Sequence, residues 1–494
     1  MTASEAPSTR LGAALASGVV KQDAARIEAK PSEADQIVRS ELQAPPRPPR
    51  LPFAGLLIYA APGLGFGFML LMVSTYLMKY ATDVLAIPAA TMGGILLVSR
   101  AWDAVADPVA GYLSDRTHTR WGRRRPWLIA GAVPLAFTFA LTWSPPAALS
   151  PAGRIAWVGG AVLLLFTSLT ICRMPHEALA AELSRDYHER NLVFGVKRAL
   201  FGVGTLAVFA ALSQLGGAAH PREIALRLSV AAGAGTAALL LMTGFAIREP
   251  VAHLGRGATR PLAAVRDVLA NPHARRLLSV SFLQQVATGT VTTAAAYHAQ
   301  YVLGDASAFP LLLGCFFVAT LVSIPVWLRL GRRFDKKPLL VASMIAVGLI
   351  LGAMFTVGAG DRMLFFSLAA AGGVVAGALD VIMPSLQADV IDWDEHRTGE
   401  RKEGVYFAAW HLTEKLALGV AAAVTGLALA SSGFVPNGEQ PATALLAMRL
   451  LLSLFPLCCY SAGAVLFLRF ALDRATHARV QEELAATRSC AAAA

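Results

Sequence analysis

Residues 100–127 of the chain read RAWDAVADPVAGYLSDRTHTRWGRRRPW. The stretch begins inside an apolar run that opens near Met92, so Asp103 lies roughly 15 Å along a helix from the polar end near Leu113. That depth is close to the middle of a hydrocarbon core roughly 30 Å thick. Asp103 and Asp107 are four residues apart and therefore share one helix face. Carboxylates at this depth usually mark an ion or substrate path, and we expect a cation or a proton to neutralise them.

The composition is that of a membrane protein with several spans. Hydrophobic residues make up 55% of the 494-residue chain and charged residues only 15%. The formal net charge of +11 would suggest nucleic acid binding in a soluble protein, but the basic residues occupy short loops between apolar runs. We therefore expect no nucleic acid partner. The five cysteines show no CxxC or Cys/His spacing, so we expect neither a disulfide framework nor a structural metal.

Twelve apolar runs are long enough to cross a bilayer as helices. This pattern predicts an all-α, polytopic fold with twelve transmembrane helices in two six-helix bundles. The runs cover about 54–80, 92–113, 127–148, 155–177, 199–216, 225–247, 277–301, 309–328, 339–359, 363–390, 405–431 and 443–470.

The loops between these runs alternate between rich and poor in arginine and lysine. The loops after the second, fourth, sixth, eighth and tenth runs hold most of the basic residues. Because basic loops stay on the cytoplasmic side, we predict a multi-pass protein of the inner membrane with both termini in the cytoplasm.

Five segments follow from this pattern. Residues 1–50 are too polar to bury a core, which predicts a disordered cytoplasmic tail, with a signal peptide around 11–20 as the alternative. We assign 51–247 to the first bundle, 248–276 to a central cytoplasmic loop, 277–470 to the second bundle and 471–494 to a second tail. The turn at 115–126 has a weaker counterpart, GRRFDKKP at 331–338, and such related halves are typical of transporters with the major facilitator architecture.

Four motifs resemble those of the glycoside–pentoside–hexuronide:cation symporters, which include the melibiose permeases. They are RxWDxxxDPxxG at 100–111, WGRRRPW at 121–127, ELSRDYHER at 182–190 and ADVIDW at 388–393. The resemblance extends from about residue 55 to 470. It implies the major facilitator fold and the coupled transport of a cation with a glycoside, sugar or uronide.

The resemblance implies a cation site formed by Asp103, Asp107 and Thr170, with Lys415 facing it as a coupling residue. Sodium-using members carry an asparagine just before the second aspartate, where this chain has Ala106. Sodium needs several oxygen ligands, whereas paired carboxylates in a low dielectric can bind a proton with fewer, so we expect a proton rather than sodium. The alternatives are structural: the aspartates pair only with Arg100 or Lys415, or Lys415 extends to the interface.

The resemblance also marks two departures in the sugar site. Members that bind galactosides use aspartates at the positions that are Gly67 and Arg173 here, so a melibiose-like pose is not expected. Arg173 and Glu177 are four residues apart. They either pair with each other, or Arg173 binds an anionic group of the substrate.

Other polar and aromatic residues at membrane depth are candidate substrate ligands. Gln284, Thr288 and Tyr297 belong to a polar strip on helix 7, although such residues also link membrane helices. Asp380 belongs either to the substrate pocket or to a core pair with an arginine. Trp410 either stacks on a sugar ring or packs in the core.

The basic turn after helix 2 has two compatible interpretations. Its arginines set the topology, and in this architecture they also tie helix ends across the cytoplasmic face when the carrier opens outward. The candidate gate residues are Asp115, Arg116, Arg123, Arg124, Glu182 and Arg190.

Together these features predict a secondary active symporter that works by alternating access, without a cofactor. Its partners would be a small-molecule substrate, a monovalent cation (a proton or sodium) and the lipid bilayer, and we expect a monomer. A carrier of lysolipids, other amphiphiles or other anionic solutes is the alternative within the fold. A non-transporting membrane sensor or a membrane enzyme is the alternative from another class, but no serine–base pair, metal cluster or phosphate loop occurs at membrane depth in the sequence.

Overall fold

The computed structural model describes residues 52–183, 187–215, 218–247, 249, 268–400, 402–472 and 474–493. The tail predicted at 1–50 and most of the loop predicted at 248–276 lie outside the described residues. The described part consists of helices joined by turns, with one isolated β-bridge between Thr119 and Gly122. The predicted all-α class is therefore confirmed.

The first set of helices forms the membrane region that precedes the central loop. Its members are α1 Phe53–Ala60, α2 Pro62–Asp83, α3 Ala89–Arg116, α4 Arg125–Trp143, α5 Pro151–Leu183, α6 Tyr187–Leu215 and α7 Pro221–Ala246.

The second set follows the central loop. Its members are α8 Pro272–Tyr297, which continues as a π-helix over His298–Val302, then α9 Ala308–Arg333, α10 Lys336–Ala353, a 3₁₀ turn Met354–Thr356, α11 Arg362–Thr398, α12 Glu403–Ser431, α13 Ala442–Leu452, α14 Leu454–Leu468 and α15 Arg474–Ala493. Helix α15 lies within the segment predicted as the second tail.

Ten segments of the described chain are helical, long and apolar enough to cross a membrane. Helices α3 and α8, with 28 and 26 residues, are long enough but less apolar. Their polarity has a simple origin, because α3 carries Arg100 and the two aspartates and α8 carries the polar strip. The ten segments together with α3 and α8 account for the twelve predicted spans.

Several boundaries differ from the sequence-based expectation. The last predicted span, 443–470, breaks at Ser453 between α13 and α14, because Pro456 has no N–H to donate to the Leu452 carbonyl. The first span is interrupted between α1 and α2 at Pro62 for the same reason. Helix α6 begins at Tyr187 rather than near residue 199. Its first turns are charged, so an apolar run does not reveal them.

Close backbone packing brings α3 against α12 and so positions the site. A Cβ atom at Gly93 would lie 2.7 Å from the Ala422 carbonyl oxygen, and one at Gly426 would lie 2.4 Å from the Ala89 carbonyl oxygen. Since real Cβ atoms do not approach that closely, these glycines allow the two helices to touch. The contact holds the aspartate face of α3 opposite α12, and the two helices come from different sets.

Candidate functional site

The two aspartates of α3 share one hydroxyl from α5. Thr170 Oγ1 lies 2.8 Å from Asp103 Oδ1 and 2.8 Å from Asp107 Oδ1. The side chains of Asp103 and Asp107 are only 7% and 19% exposed. A carboxylate pair is thus held at membrane depth, where water supplies little of its solvation.

Lys415 of α12 completes this cluster from the other set of helices. Its Nζ lies 2.9 Å from Asp103 Oδ2 and also contacts Asp107 Oδ2. The lysine side chain is 13% exposed and points into the cluster, so it does not extend to the interface. The structure therefore brings together all four residues that the sequence singled out for cation binding and coupling.

If both aspartates are ionised and Lys415 is protonated, neither the charges nor the hydrogen bonds of the cluster are fully satisfied. Two carboxylates face one ammonium group, which leaves one negative charge. The Thr170 hydroxyl has a single hydrogen, yet its oxygen lies within hydrogen-bond distance of both carboxylates. Both contacts are satisfied when one carboxyl group carries a proton and donates it to Thr170 Oγ1. Within these four residues, one added proton or monovalent cation also neutralises the remaining charge.

Arg100 is a further cation near the cluster, which the sequence offered only as a structural partner of the aspartates. The residue is 8% exposed, donates from Nη2 to Ser74 Oγ at 3.0 Å, and places its guanidinium 4.4 Å from the ring centre of Phe166. Its position one turn before Asp103 was the available signal. The cation–π contact partly replaces the hydration that the guanidinium loses.

The two departures in the sugar site have different structural reasons. A Cβ atom at Gly67 would lie 2.1 Å from the Phe201 carbonyl oxygen, so no side chain fits there in this conformation. Arg173 Nε lies 2.9 Å from Glu177 Oε1, as the four-residue spacing suggested. Lys197 Nζ approaches the same carboxylate oxygen at 3.7 Å. One carboxylate is thus shared by two basic groups, and this local group keeps an excess positive charge.

The polar strip of α8 contributes to a second polar group. Thr288 Oγ1 lies 3.0 Å from the hydroxyl of Tyr460 on α14. Asp380 of α11 is exposed although it lies near the middle of its helix, and its charge acts on Tyr460. The positive charge of Arg198, on α6 of the first set, reaches Asp380. Asp380 is therefore within electrostatic range of Tyr460 on α14 and of Arg198 on α6.

The other substrate candidates do not join this group. Gln284 and Trp410 are buried, and neither side-chain N–H group has a partner within the part of the chain that the structure describes. Trp410 packs against Tyr406 at a ring-centre distance of 5.8 Å. Tyr297 is fully buried and its hydroxyl lies 2.9 Å from Thr82 Oγ1 at the end of α2.

The basic turn forms its described contacts within the first set of helices. Arg124 pairs with Asp115 and donates to Ser114 Oγ. The guanidinium of Arg116 lies over the Tyr112 ring, with its carbon 4.3 Å from the ring centre. Of the other three gate candidates, Arg123 bonds through its backbone N–H to Glu249, and the side chains of Glu182 and Arg190 lie outside the described residues.

Glu249 anchors the same turn, and the sequence offered no signal for it. Its carboxylate accepts backbone N–H groups of Arg123 at 2.8 Å, Arg124 at 2.7 Å and Arg125 at 2.7 Å. These are groups at the N-terminus of α4, where the helix dipole favours a negative charge. Arg125 Nε in turn donates to the Gly244 carbonyl at 2.6 Å. The start of α4 and the end of α7 are therefore joined.

Comparisons with known proteins identify the family and the fold. A family model described as MFS/sugar transport protein matches residues 58–474. The chain is 26% identical over 419 residues to the putative glycoside/cation symporter YagG of Escherichia coli (strain K12), covering 84% of this chain and 90% of the relative. It is 25% identical over 414 residues to the isoprimeverose transporter of Lactiplantibacillus pentosus, covering 82% and 85%. The crystal structure of a D-xylose-proton symporter shares the fold, with a TM-score of 0.62 and 17% identity over 85% of this chain and 98% of that one.

Proposed function

Because the chain belongs to the MFS/sugar transport protein family, we propose that it couples uptake of a glycoside, sugar or uronide to the inward movement of one proton. The protein is a multi-pass membrane transporter of the major facilitator fold and not an enzyme. The observation that carries the proposal is the group of Asp103, Asp107, Thr170 and Lys415, which links α3 to α12 at membrane depth.

The group offers a direct means of coupling. While Lys415 is paired with both aspartates, it holds the two sets of helices together at this level. A proton on one carboxyl group weakens the attraction for the ammonium group and so loosens the link between α3 and α12. If the loosened form binds substrate more tightly, bound substrate must by linkage also favour protonation. Alternating access then moves both ligands together.

The donor set favours a proton over sodium. The group provides four carboxylate oxygens and one hydroxyl, and two of those oxygens already contact Lys415. Ala106, next to Asp107, contributes no oxygen. Sodium would have to collect several oxygens and displace the ammonium group, whereas a proton needs only one carboxyl oxygen. The position of Thr170 between the two carboxyl groups gives that proton an acceptor.

The substrate residues follow from the second polar group. A sugar presents hydroxyl groups that donate and accept hydrogen bonds, and Asp380, Thr288 and Tyr460 supply acceptors and donors on the side of the second set. We assign Arg198 as a donor from the first set, because its positive charge acts on Asp380. Since Arg173 already shares Glu177 with Lys197, we assign it a supporting role beside the substrate rather than the main contact.

The remaining features of the proposal are topological. We propose that both termini lie in the cytoplasm, because the turns on that side carry most of the basic residues, and that the protein lies in the inner membrane. We further propose that it acts as a monomer and without a cofactor.

The first experiment identifies the substrate. Purified protein is screened by thermal shift against glycosides, uronides and lysolipids, each with and without sodium, and a hit is then used for uptake into energised cells. Asp103→Asn and Asp107→Asn should each abolish accumulation while expression stays close to that of the wild type. Accumulation at the wild-type level by either variant would contradict the proposed coupling site. A hit among lysolipids alone would contradict the assignment to sugars.

A further inference from the structure

A second charged group lies at the end of the molecule where α2 ends, opposite the basic turn. We call this the outer end, because the charge pattern places the basic turn in the cytoplasm. Lys79 and Asp83, one helical turn apart on α2, form an ion pair at 2.6 Å, with side chains only 6% and 7% exposed. Charges so deeply buried need partners. The proposed transport function makes no use of it.

The partners of this pair come from the other set of helices. Tyr301, in the π-helix that follows α8, donates its hydroxyl to Asp83 Oδ2 at 2.9 Å. Asn437, in the turn between α12 and α13, donates from Nδ2 to the Asp83 carbonyl oxygen at 2.6 Å. The Asn437 backbone N–H donates to the Tyr301 hydroxyl at 2.9 Å. Three hydrogen bonds thus connect Asp83, Tyr301 and Asn437 into one closed group.

Aromatic rings surround the ammonium group. Lys79 Nζ lies 5.1 Å from the ring centre of Tyr297 and 4.9 Å from that of Tyr301. Tyr297 is itself joined to α2 through Thr82 at 2.9 Å. These contacts also cross from one set of helices to the other. Residues of the second set therefore contact both the carboxylate of Asp83 and the ammonium group of Lys79.

We propose that Lys79, Asp83, Tyr301 and Asn437 form a lock that keeps the outer end closed in this conformation and that must open for substrate to enter. The aspartates of α3 lie elsewhere: Asp103 is fourteen residues from the start of its helix at Ala89, about 20 Å along the axis. The lock is therefore a separate element from the coupling site, and it governs access rather than ion binding.

The lock can open without leaving a buried charge unpaired. Lys79 and Asp83 belong to the same helix, so they stay paired when the second set moves away. Opening breaks only the contacts to Tyr301, Asn437 and the rings, and water can replace the hydrogen bonds. A cavity of about 480 Å³ lies against this group and is lined by Asp83, Asn437 and Arg222 among others, so water has space beside the lock.

The test measures the distance across the outer end and uses neither substrate nor a proton gradient. Spin labels are placed on Ala148→Cys and Met363→Cys, two exposed positions at the outer ends of the two sets, in a chain whose five native cysteines are replaced. Double electron–electron resonance then gives the populations of short and long distances. Because the result does not depend on transport, failure of the lock and failure of the proposed function are distinguishable.

Two variants weaken the lock without removing its charges. Tyr301→Phe deletes a hydrogen bond to a carboxylate and should raise the ratio of long to short distances about tenfold. Asn437→Gly deletes the side-chain amide but suits the left-handed backbone at this position, where φ is 53°. Asn437→Gly should also raise the ratio of long to short distances. If Tyr301→Phe does not fold, this variant alone tests the lock.

Tyr80→Phe is the matched control. Tyr80 lies on the same helix at the same end, but its hydroxyl donates to the Trp143 carbonyl at 2.7 Å within the first set. The control should leave the distance distribution unchanged. An unchanged distribution in the folded lock variants would overturn the proposal. So would an equal shift in Tyr80→Phe, because it would trace the effect to general loss of stability.

Discussion

Replacing Lys415 by methionine separates the two aspartates from their main counter-charge. Methionine keeps the apolar stem of the side chain and removes the ammonium group that contacts both carboxylates. Breaking a buried ion pair by removing one partner costs about 3–5 kcal/mol, because the other charge is left without compensation. For a chain of this size such a loss lowers the unfolding temperature by roughly 5 °C. The measurement is intrinsic tryptophan fluorescence on heating the protein in detergent.

The double variant Lys415→Met/Asp107→Asn tests whether the loss arises from uncompensated charge. It leaves one carboxylate, held by Thr170, and should recover about half of the lost stability. The interaction energy between the two substitutions should be about 1–3 kcal/mol, as for residues in direct contact. Asp107→Asn alone should change stability little, because Asp103 and Lys415 remain a neutral pair. Additive losses in the double variant would show that uncompensated charge is not the cause of the lost stability.

Three further predictions concern the cap, the packing and the ion. Glu249→Ala should lower stability by about 1–2 kcal/mol in the same melting assay because it uncaps α4, whereas Glu223→Ala, which breaks an exposed pair, should cost less than about 0.5 kcal/mol. Equal losses of stability in Glu249→Ala and Glu223→Ala would show that Glu249 does not act as a helix cap. Gly204→Ala should lower the stability by about 1–3 kcal/mol, because its Cβ would lie 1.9 Å from a backbone carbonyl of α2. Gly202→Ala should leave the stability unchanged, because its Cβ would meet no atom within 4 Å. Identical melting curves for the two variants would contradict the close packing at Gly204. Ala106→Asn should raise sodium stimulation of uptake, and no change on sodium addition would argue against the missing-ligand explanation.

The helices and the coupling site could be predicted from the sequence because their signals are local. Apolar runs report burial in lipid directly, and Asp103 and Asp107 stand out within such a run. The partners Thr170 and Lys415 are distant in the chain and came from the family resemblance. The structure brings them to the aspartates through the packing of α3 on α5 and α12.

The features that the sequence did not predict depend on contacts between distant segments. Glu249 binds the start of α4 from more than a hundred residues away, and a lone glutamate in a loop carries no pattern. Lys79 and Asp83 have the four-residue spacing of a helix pair, but Tyr301 and Asn437 are brought to them only by tertiary packing. The reason for a glycine at position 67 likewise appears only once α6 is packed on α2.

Proton movement during transport distinguishes proton coupling from sodium coupling. Purified protein is reconstituted into liposomes that contain a fluorescent pH indicator, and the substrate found by thermal shift is added outside without sodium. We expect the lumen to become acidic in step with uptake, and Asp107→Asn to abolish both uptake and acidification. Uptake that requires sodium and leaves the internal pH unchanged would contradict proton coupling at this site.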